Sequence, residues 1–249
     1  MVLREVRLLL AALLLTELSG LLPPRGLPGK LVPCRATADA STALVVLGGC
    51  GDLARNKLFP GLLRLHRQGE LPSSFLAVGC GRETRSTDGF RTLLRETLGP
   101  QASTDFLAMV EYRQVQSYCS RACLARLFSY LQSQRCDRVL VYFALPPTVF
   151  SDTLLSLAAC DSPDLQLVLE KPIGRDAASC RDLLAALRRV NCTRPPLLVD
   201  HYLGKEAIRS LPALRFRNSI LEPSLSRHHV HFVEGKSASA SSRQPPHLP

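Results

Sequence analysis

The chain has 249 residues, 46% of them hydrophobic but only 6% aromatic and none tryptophan, so it can bury a core of Leu, Val and Ala, and wholesale disorder is excluded. Thirty-one Lys and Arg against 21 Asp and Glu leave a net charge of +10, which favours an anionic partner. The basic residues are scattered among leucine-rich segments without interleaved aromatics, which disfavours nucleic acid, and nine cysteines without ligand spacing disfavour zinc.

The first 41 residues stand apart. "MVLREVRLLLAALLLTELSGLL" has a basic start and an apolar run too short for a stable membrane span, and a Pro- and Ala-rich basic stretch follows. Residues 1–41 are expected to form a signal or transit leader outside the fold. Its destination would be the endoplasmic reticulum lumen or a plastid, with a cytoplasmic location if the leader does not function.

From Ala43 a strand–helix alternation begins. "ALVVLG" is a β-branched apolar run closed by glycines, hence a buried strand. "DLARNKLFPGLLRLHRQG" has leucines at helical spacing, with an interruption expected near Pro60. "SFLAVGCG" predicts a second strand, residues 88–98 a helix, "EYRQVQ" a strand and residues 120–134 a helix. Then come "RVLVYFALPP" (strand), "TVFSDTLLSLAAC" (helix), "LQLVLEKP" (strand), "AASCRDLLAALRRV" (helix), "PPLLVDHY" (strand) and "KEAIRSLPALRFRN" (helix). Such alternation predicts an α/β fold, a Rossmann-like doubly wound parallel sheet. The expected organisation is a dinucleotide-binding domain over 42–205, a further segment over 206–234 and a disordered polar, Pro-rich tail over 235–249. Asn191-Cys192-Thr193 is a formal glycosylation sequon.

Three stretches carry candidate chemistry. The first strand–helix turn, Gly48-Gly49-Cys50-Gly51-Asp52-Leu53-Ala54, sets glycines at 48 and 51 and a small residue at 54. That spacing permits a tight turn and close approach of backbone N–H groups to a pyrophosphate at a helix start. The second strand ends in Arg82, where a cation would read the 2′-phosphate of NADP, although Glu83 beside it is the residue type suited to an NAD ribose. The third comprises two strand ends. "VLEKP" presents Lys171 ahead of a proline whose bond could be cis, and "LLVDHYLGK" presents Asp200, His201, Tyr202 and Lys205. Lys171, His201, Tyr202 and Lys205 can donate to a phosphate or sugar hydroxyls, while Asp200 is suited to orienting a catalytic imidazole.

In order and spacing, "GGCGDLARNKLFP", "YFALPPTVF", "EKPIGRD", "DHYLGKEAI" and "LRFRNSILEPSLSRHHV" resemble the glucose-6-phosphate dehydrogenase family over residues 43–233. The resemblance implies coenzyme roles for Gly48, Gly51, Asp52, Leu53, Lys57 and Arg82, with NADP as the coenzyme. It implies that Lys171 is shared between coenzyme and sugar sites, that His201, Tyr202 and Lys205 bind the phosphate of glucose 6-phosphate, and that Asp200 pairs with a catalytic base. Gly49-Cys50 replaces the family's Ala-Ser. The family's "GYFDEFGIIRDVMQNH" segment, whose histidine removes the C1 proton, has no counterpart, and His228, His229 and His231 do not stand at that motif. The family dimerises through an antiparallel sheet, of which "HHVHFVE" would be one strand. A shortened dehydrogenase with little or no activity alone is therefore expected, its apolar surface exposed. The alternative is a non-catalytic NADP-binding module or a partner of a full-length chain. A wider class of EKP-containing sugar oxidoreductases is disfavoured by the Asp200–Lys205 element.

Overall fold

A computed structural model describes residues 41–160, 164–174, 176–200 and 206–232. They fall into two compact units that divide between Lys205 and Glu206. The expectations for residues 1–40, for the tail from 233 and for His201, Tyr202 and Lys205 lie outside the described residues.

The larger unit holds six parallel strands: β1 Thr42–Leu47, β2 Phe75–Gly81, β3 Val110–Gln114, β4 Arg138–Phe143, β5 Asp164–Glu170 and β6 Leu197–Val199. Their spatial order is β3-β2-β1-β4-β5-β6. β1 and β4 are buried along their whole length, as strands covered on both faces must be. Alternate residues feed two cores. Leu44, Val46, Leu140 and Tyr142 face one, while Val45, Leu47, Val141 and Phe143 face the other.

Helices cover the first core with α1 (Phe59–Arg67), α2 (Thr87–Leu98) and α3 (Thr104–Ala108), and the second with α4 (Arg121–Ser133), α5 (Phe150–Leu157) and α6 (Ala177–Leu187). The division follows from handedness. The chain walks from β1 to β3 in one direction and from β4 to β6 in the other, so right-handed crossovers put the two sets of helices on opposite faces. The direction reverses between β1 and β4, where a doubly wound sheet opens a crevice at its carboxyl edge.

Local chemistry sets the element ends. The interruption expected at Pro60 is a π-helical turn over Ala54–Leu58, in which the Phe59 N–H donates to the Ala54 carbonyl, one residue beyond the α-helical partner. Pro60 follows that turn directly and has no N–H to donate back to it. Serines start α2, α3 and α4: Ser86, Ser103 and Ser120 each accept a backbone N–H three residues on. β6 begins at Leu197, two residues later than expected, because Pro195 and Pro196 before it lack the ladder donor.

In the smaller unit α7 (Glu206–Arg217) contains Pro212 and is followed by α8 (Leu221–Ser224). Phe216, Ile220 and Phe232 are exposed. Residues 228–232 form a turn and irregular chain rather than the strand expected there. The eight described cysteines are thiols, and two of them, Cys80 and Cys136, are buried in the core. Among the described residues no helix is long and apolar enough to cross a membrane.

The strand ends opposite the crevice are tied by Asp164. Arg194 grips its carboxylate with both Nε (3.1 Å) and Nη2 (2.9 Å), the buried Arg138 donates from Nε (3.1 Å), and the Thr193 hydroxyl donates as well. Burial pushes the carboxyl up, but the bonds from Thr193, Arg194 and Arg138 outweigh it and hold Asp164 below the usual carboxylate range. A lowered folded value means that this contribution is complete above the unfolded value of about 4 and is lost as pH falls through the folded value. Asp164→Ala, which strands a buried guanidinium, is expected to lower stability by about 2 kcal/mol at neutral pH, read by denaturant unfolding. The deficit relative to the parent should shrink below pH 4.

Candidate functional site

At the carboxyl edge, between β1 and β4, lies a cavity of about 380 Å³. Its floor is the first turn, Gly48, Cys50 and Gly51; its sides are Gly81, Arg82 and Glu83 after β2, Tyr118 after β3, and Ala144-Leu145-Pro146 after β4. Thus Gly48, Gly51 and Arg82, predicted from two separated stretches, line one space.

The turn is tight because both neighbouring strands crowd it. Gly48 has φ +87°, and a Cβ there would stand 2.2 Å from the Ala144 carbonyl oxygen. A Cβ on Gly49 would lie 2.7 Å from the Gly79 Cα, so the glycine standing for the family's alanine matches a close approach to β2. The N–H groups of Gly48 and Gly49 both donate to the Cys80 carbonyl, at 3.0 and 2.7 Å, and that of Gly51 donates to the Gly48 carbonyl at 2.9 Å. Gly51 in turn accepts from Arg55 N–H (3.0 Å), so the helix begins at the cavity floor with its first N–H groups lacking helical acceptors. A narrow backbone cradle at a helix start is what a pyrophosphate requires, and these residues fit a dinucleotide.

No spacing in the sequence singles out Tyr118. Its hydroxyl accepts from the Gly48 N–H at 3.2 Å and donates to the Cys80 carbonyl at 3.1 Å, locking the turn to β2. Burial, reinforced by Cys80, pushes this phenol up to about 12, so it remains a neutral donor. The Cys50 thiol is also pushed up, by burial first and the Glu83 carboxylate second. It is a protonated packing group beside Tyr112 and Arg85.

The charges after β2 are sorted by two neighbours. Glu83 pairs with Arg85 at 2.8 Å, whereas Arg82 makes no ion pair among the described residues. The Tyr112 hydroxyl donates to the Glu83 carbonyl (2.7 Å), and Gln114 Nε2 donates to the Arg82 carbonyl and the Thr84 hydroxyl (both 3.0 Å). Asp52, Leu53 and Lys57 do not line the cavity. Asp52 is exposed and paired with Arg55 at 2.9 Å, Leu53 packs against the first core, and Lys57 is exposed.

At the other strand ends, the Lys171 N–H donates to the Val199 carbonyl (2.9 Å), setting Lys171 beside Asp200, with Nζ to Oδ2 at 4.0 Å. The Lys171–Pro172 bond is cis. Beneath them the buried Tyr142 hydroxyl donates to the buried Glu170 carboxylate, and burial together with that carboxylate pushes the phenol well up. His228, His229 and His231 are exposed in the smaller unit. Among the described residues no three His, Cys, Asp or Glu side chains gather as a metal-binding group.

A sequence profile of the "Glucose-6-phosphate dehydrogenase, NAD binding domain" matches residues 45–210. The chloroplastic glucose-6-phosphate 1-dehydrogenase of Spinacia oleracea is 30% identical over 211 residues, 79% of this chain and 37% of that one. The Treponema pallidum enzyme is 32% identical over 210 residues, 77% of this chain and 41% of that one. Among solved structures, a glucose-6-phosphate dehydrogenase in complex with its substrate glucose 6-phosphate superposes with a TM-score of 0.60 at 28% identity, covering 78% of this chain and 43% of that one. The Mycobacterium avium enzyme gives 0.58 at 30% identity, covering 76% and 42%. The chain spans about two fifths of the length of these relatives.

The crowding at Gly48 is open to test against Gly69, which shares a positive φ of +66° but has open space within 4 Å of the position a Cβ would take. Gly69→Ala should cost about 1–2 kcal/mol from the backbone alone. Gly48→Ala should cost clearly more, because the Ala144 carbonyl must move; equal losses in denaturant unfolding would show that the contact is slack.

Proposed function

The chain belongs to the glucose-6-phosphate dehydrogenase family, and from that premise we propose that it is the coenzyme-binding part of an NADP-dependent dehydrogenase acting on the C1 hydroxyl of glucose 6-phosphate. The observation that carries the reading is the cavity at the sheet's switch point, with a glycine cradle on its floor and Arg82, without an ion-pair partner among the described residues, on its wall. NADP, when bound, supplies a hydride acceptor.

The chain's own residues divide the remaining work. Gly48 and Gly51 let backbone N–H groups reach the pyrophosphate, and Arg82 meets the 2′-phosphate with a charge-assisted bond. Asp52, Leu53 and Lys57 complete the coenzyme fingerprint by family resemblance. Lys171, which lies beside Asp200, would serve the sugar and the coenzyme alike. His201, Tyr202 and Lys205 would hold the sugar phosphate. Asp200 would orient a base histidine, but none of the six histidines stands in the family's base motif. The 249 residues are therefore expected to bind without turning over. The relatives include chloroplastic, cytoplasmic and bacterial enzymes, so an organellar or secretory route rests on the leader expected over residues 1–41.

Calorimetric titration of the chain with NADP should give saturable binding, and Arg82→Ala should weaken it roughly 10- to 100-fold, the range of a hydrogen bond to a charged group. With glucose 6-phosphate added, NADPH absorbance should not rise above background. Robust turnover would mean that another residue serves as base, and absence of NADP binding would sink the coenzyme reading itself.

A further inference from the structure

We infer that the Arg85–Glu83 ion pair is a coenzyme-specificity device, in which Arg85 acts as a positioning residue that neutralises Glu83 so that a ribose 2′-phosphate is accepted. The inference rests on the coenzyme site proposed above and adds to it the control of its discrimination. Its starting point is a contradiction within the loop after β2. A cation there suits a 2′-phosphate and a carboxylate suits a free 2′-hydroxyl, yet Arg82 and Glu83 both line the same cavity. A free carboxylate beside the phosphate would repel it and would offer an acceptor to the unphosphorylated ribose.

The structure resolves the contradiction by geometry. Arg85 Nη2 lies 2.8 Å from Glu83 Oε2, and the Arg85 side chain is the more enclosed partner, 31% exposed against 61%. Its backbone is fixed from behind, since the next residue, Ser86, caps α2 by accepting the Gly89 N–H at 3.0 Å. β3 fixes the loop from the side through the bonds of Tyr112 and Gln114 to Glu83, Arg82 and Thr84. Arg82 and Glu83 thus project from a pinned loop, one with its charge available and the other with its charge spoken for. The pair is partly exposed, so its effect is limited and salt-dependent.

The test is a double-mutant cycle in the full chain, read by calorimetry with 2′,5′-ADP and 5′-AMP as probes that differ only in the 2′-phosphate. Arg85→Ala is expected to weaken 2′,5′-ADP about three- to tenfold, leave 5′-AMP unchanged or slightly tighter, and lose its effect when Glu83→Gln is also present. Arg85→Lys should restore most of the discrimination, and the difference should fade at high salt. If Arg85→Ala weakens 2′,5′-ADP equally in the Glu83→Gln background, Arg85 touches the phosphate directly and the positioning role is wrong. An unchanged ratio in a variant with parental thermal stability also overturns it. If the parent chain binds neither probe, the failure lies with the coenzyme site, and this inference falls with it.

Discussion

The architecture turns on the approach of three strand ends around Gly48. β1 must stop, reverse into a helix and still leave room for a ligand, while β2 and β4 run parallel on either side of it. The Ala144 carbonyl occupies the space where a side chain on Gly48 would stand, and the Cys80 carbonyl draws in the N–H groups of Gly48 and Gly49. Those bonds anchor the turn without consuming the N–H groups of the helix start. The crevice is thus a consequence of how closely the backbone can pack where the winding reverses.

Charge is arranged differently at the two ends of the crevice. On the β2 side an exposed arginine stands beside a carboxylate that has its own cation, so one positive charge is left over for an anion. On the β5–β6 side Lys171 and Asp200 stand 4.0 Å apart and both remain partly exposed. At that distance, with both groups partly exposed, the pair contributes little to stability. The scattered basic charge of the whole chain therefore says less about binding than these few placed groups do.

The sheet was legible because its strands are buried on both faces and so appear as unbroken apolar runs, "ALVVLG" and "RVLVYF" above all. What escaped was whatever depends on a single bond. Ser103 caps a five-residue helix too short to show a period. The π-helical turn before Pro60 was foreseeable as an interruption but not in form. In the site, Gly48, Gly51 and Arg82 were legible as a motif, since turn chemistry is local. Tyr118 and Arg85 were not, because their partners are the turn after β1 and a glutamate two residues away, and neither spacing has a signature. Glu83 muddied the coenzyme assignment in the sequence for the same reason: its charge is balanced by a contact that only the folded loop defines.

The buried Glu170–Tyr142 pair explains why the Lys171 end should be as well positioned as the glycine end. Glu170 is the last residue of β5 and Tyr142 the penultimate residue of the neighbouring β4. A carboxylate buried there is tolerable only with a donor, and the tyrosine hydroxyl supplies it from within the first core. The bond ties the ends of β4 and β5 together directly beneath the residue that leaves the sheet. Lys171 therefore departs from a fixed backbone, which the Val199 carbonyl holds from the other side. At both ends of the crevice a tyrosine hydroxyl, Tyr118 or Tyr142, binds a strand end so that the groups just beyond it emerge in a set direction. The same device at two places ties the strand ends of the carboxyl edge, and the charged groups project from just beyond them.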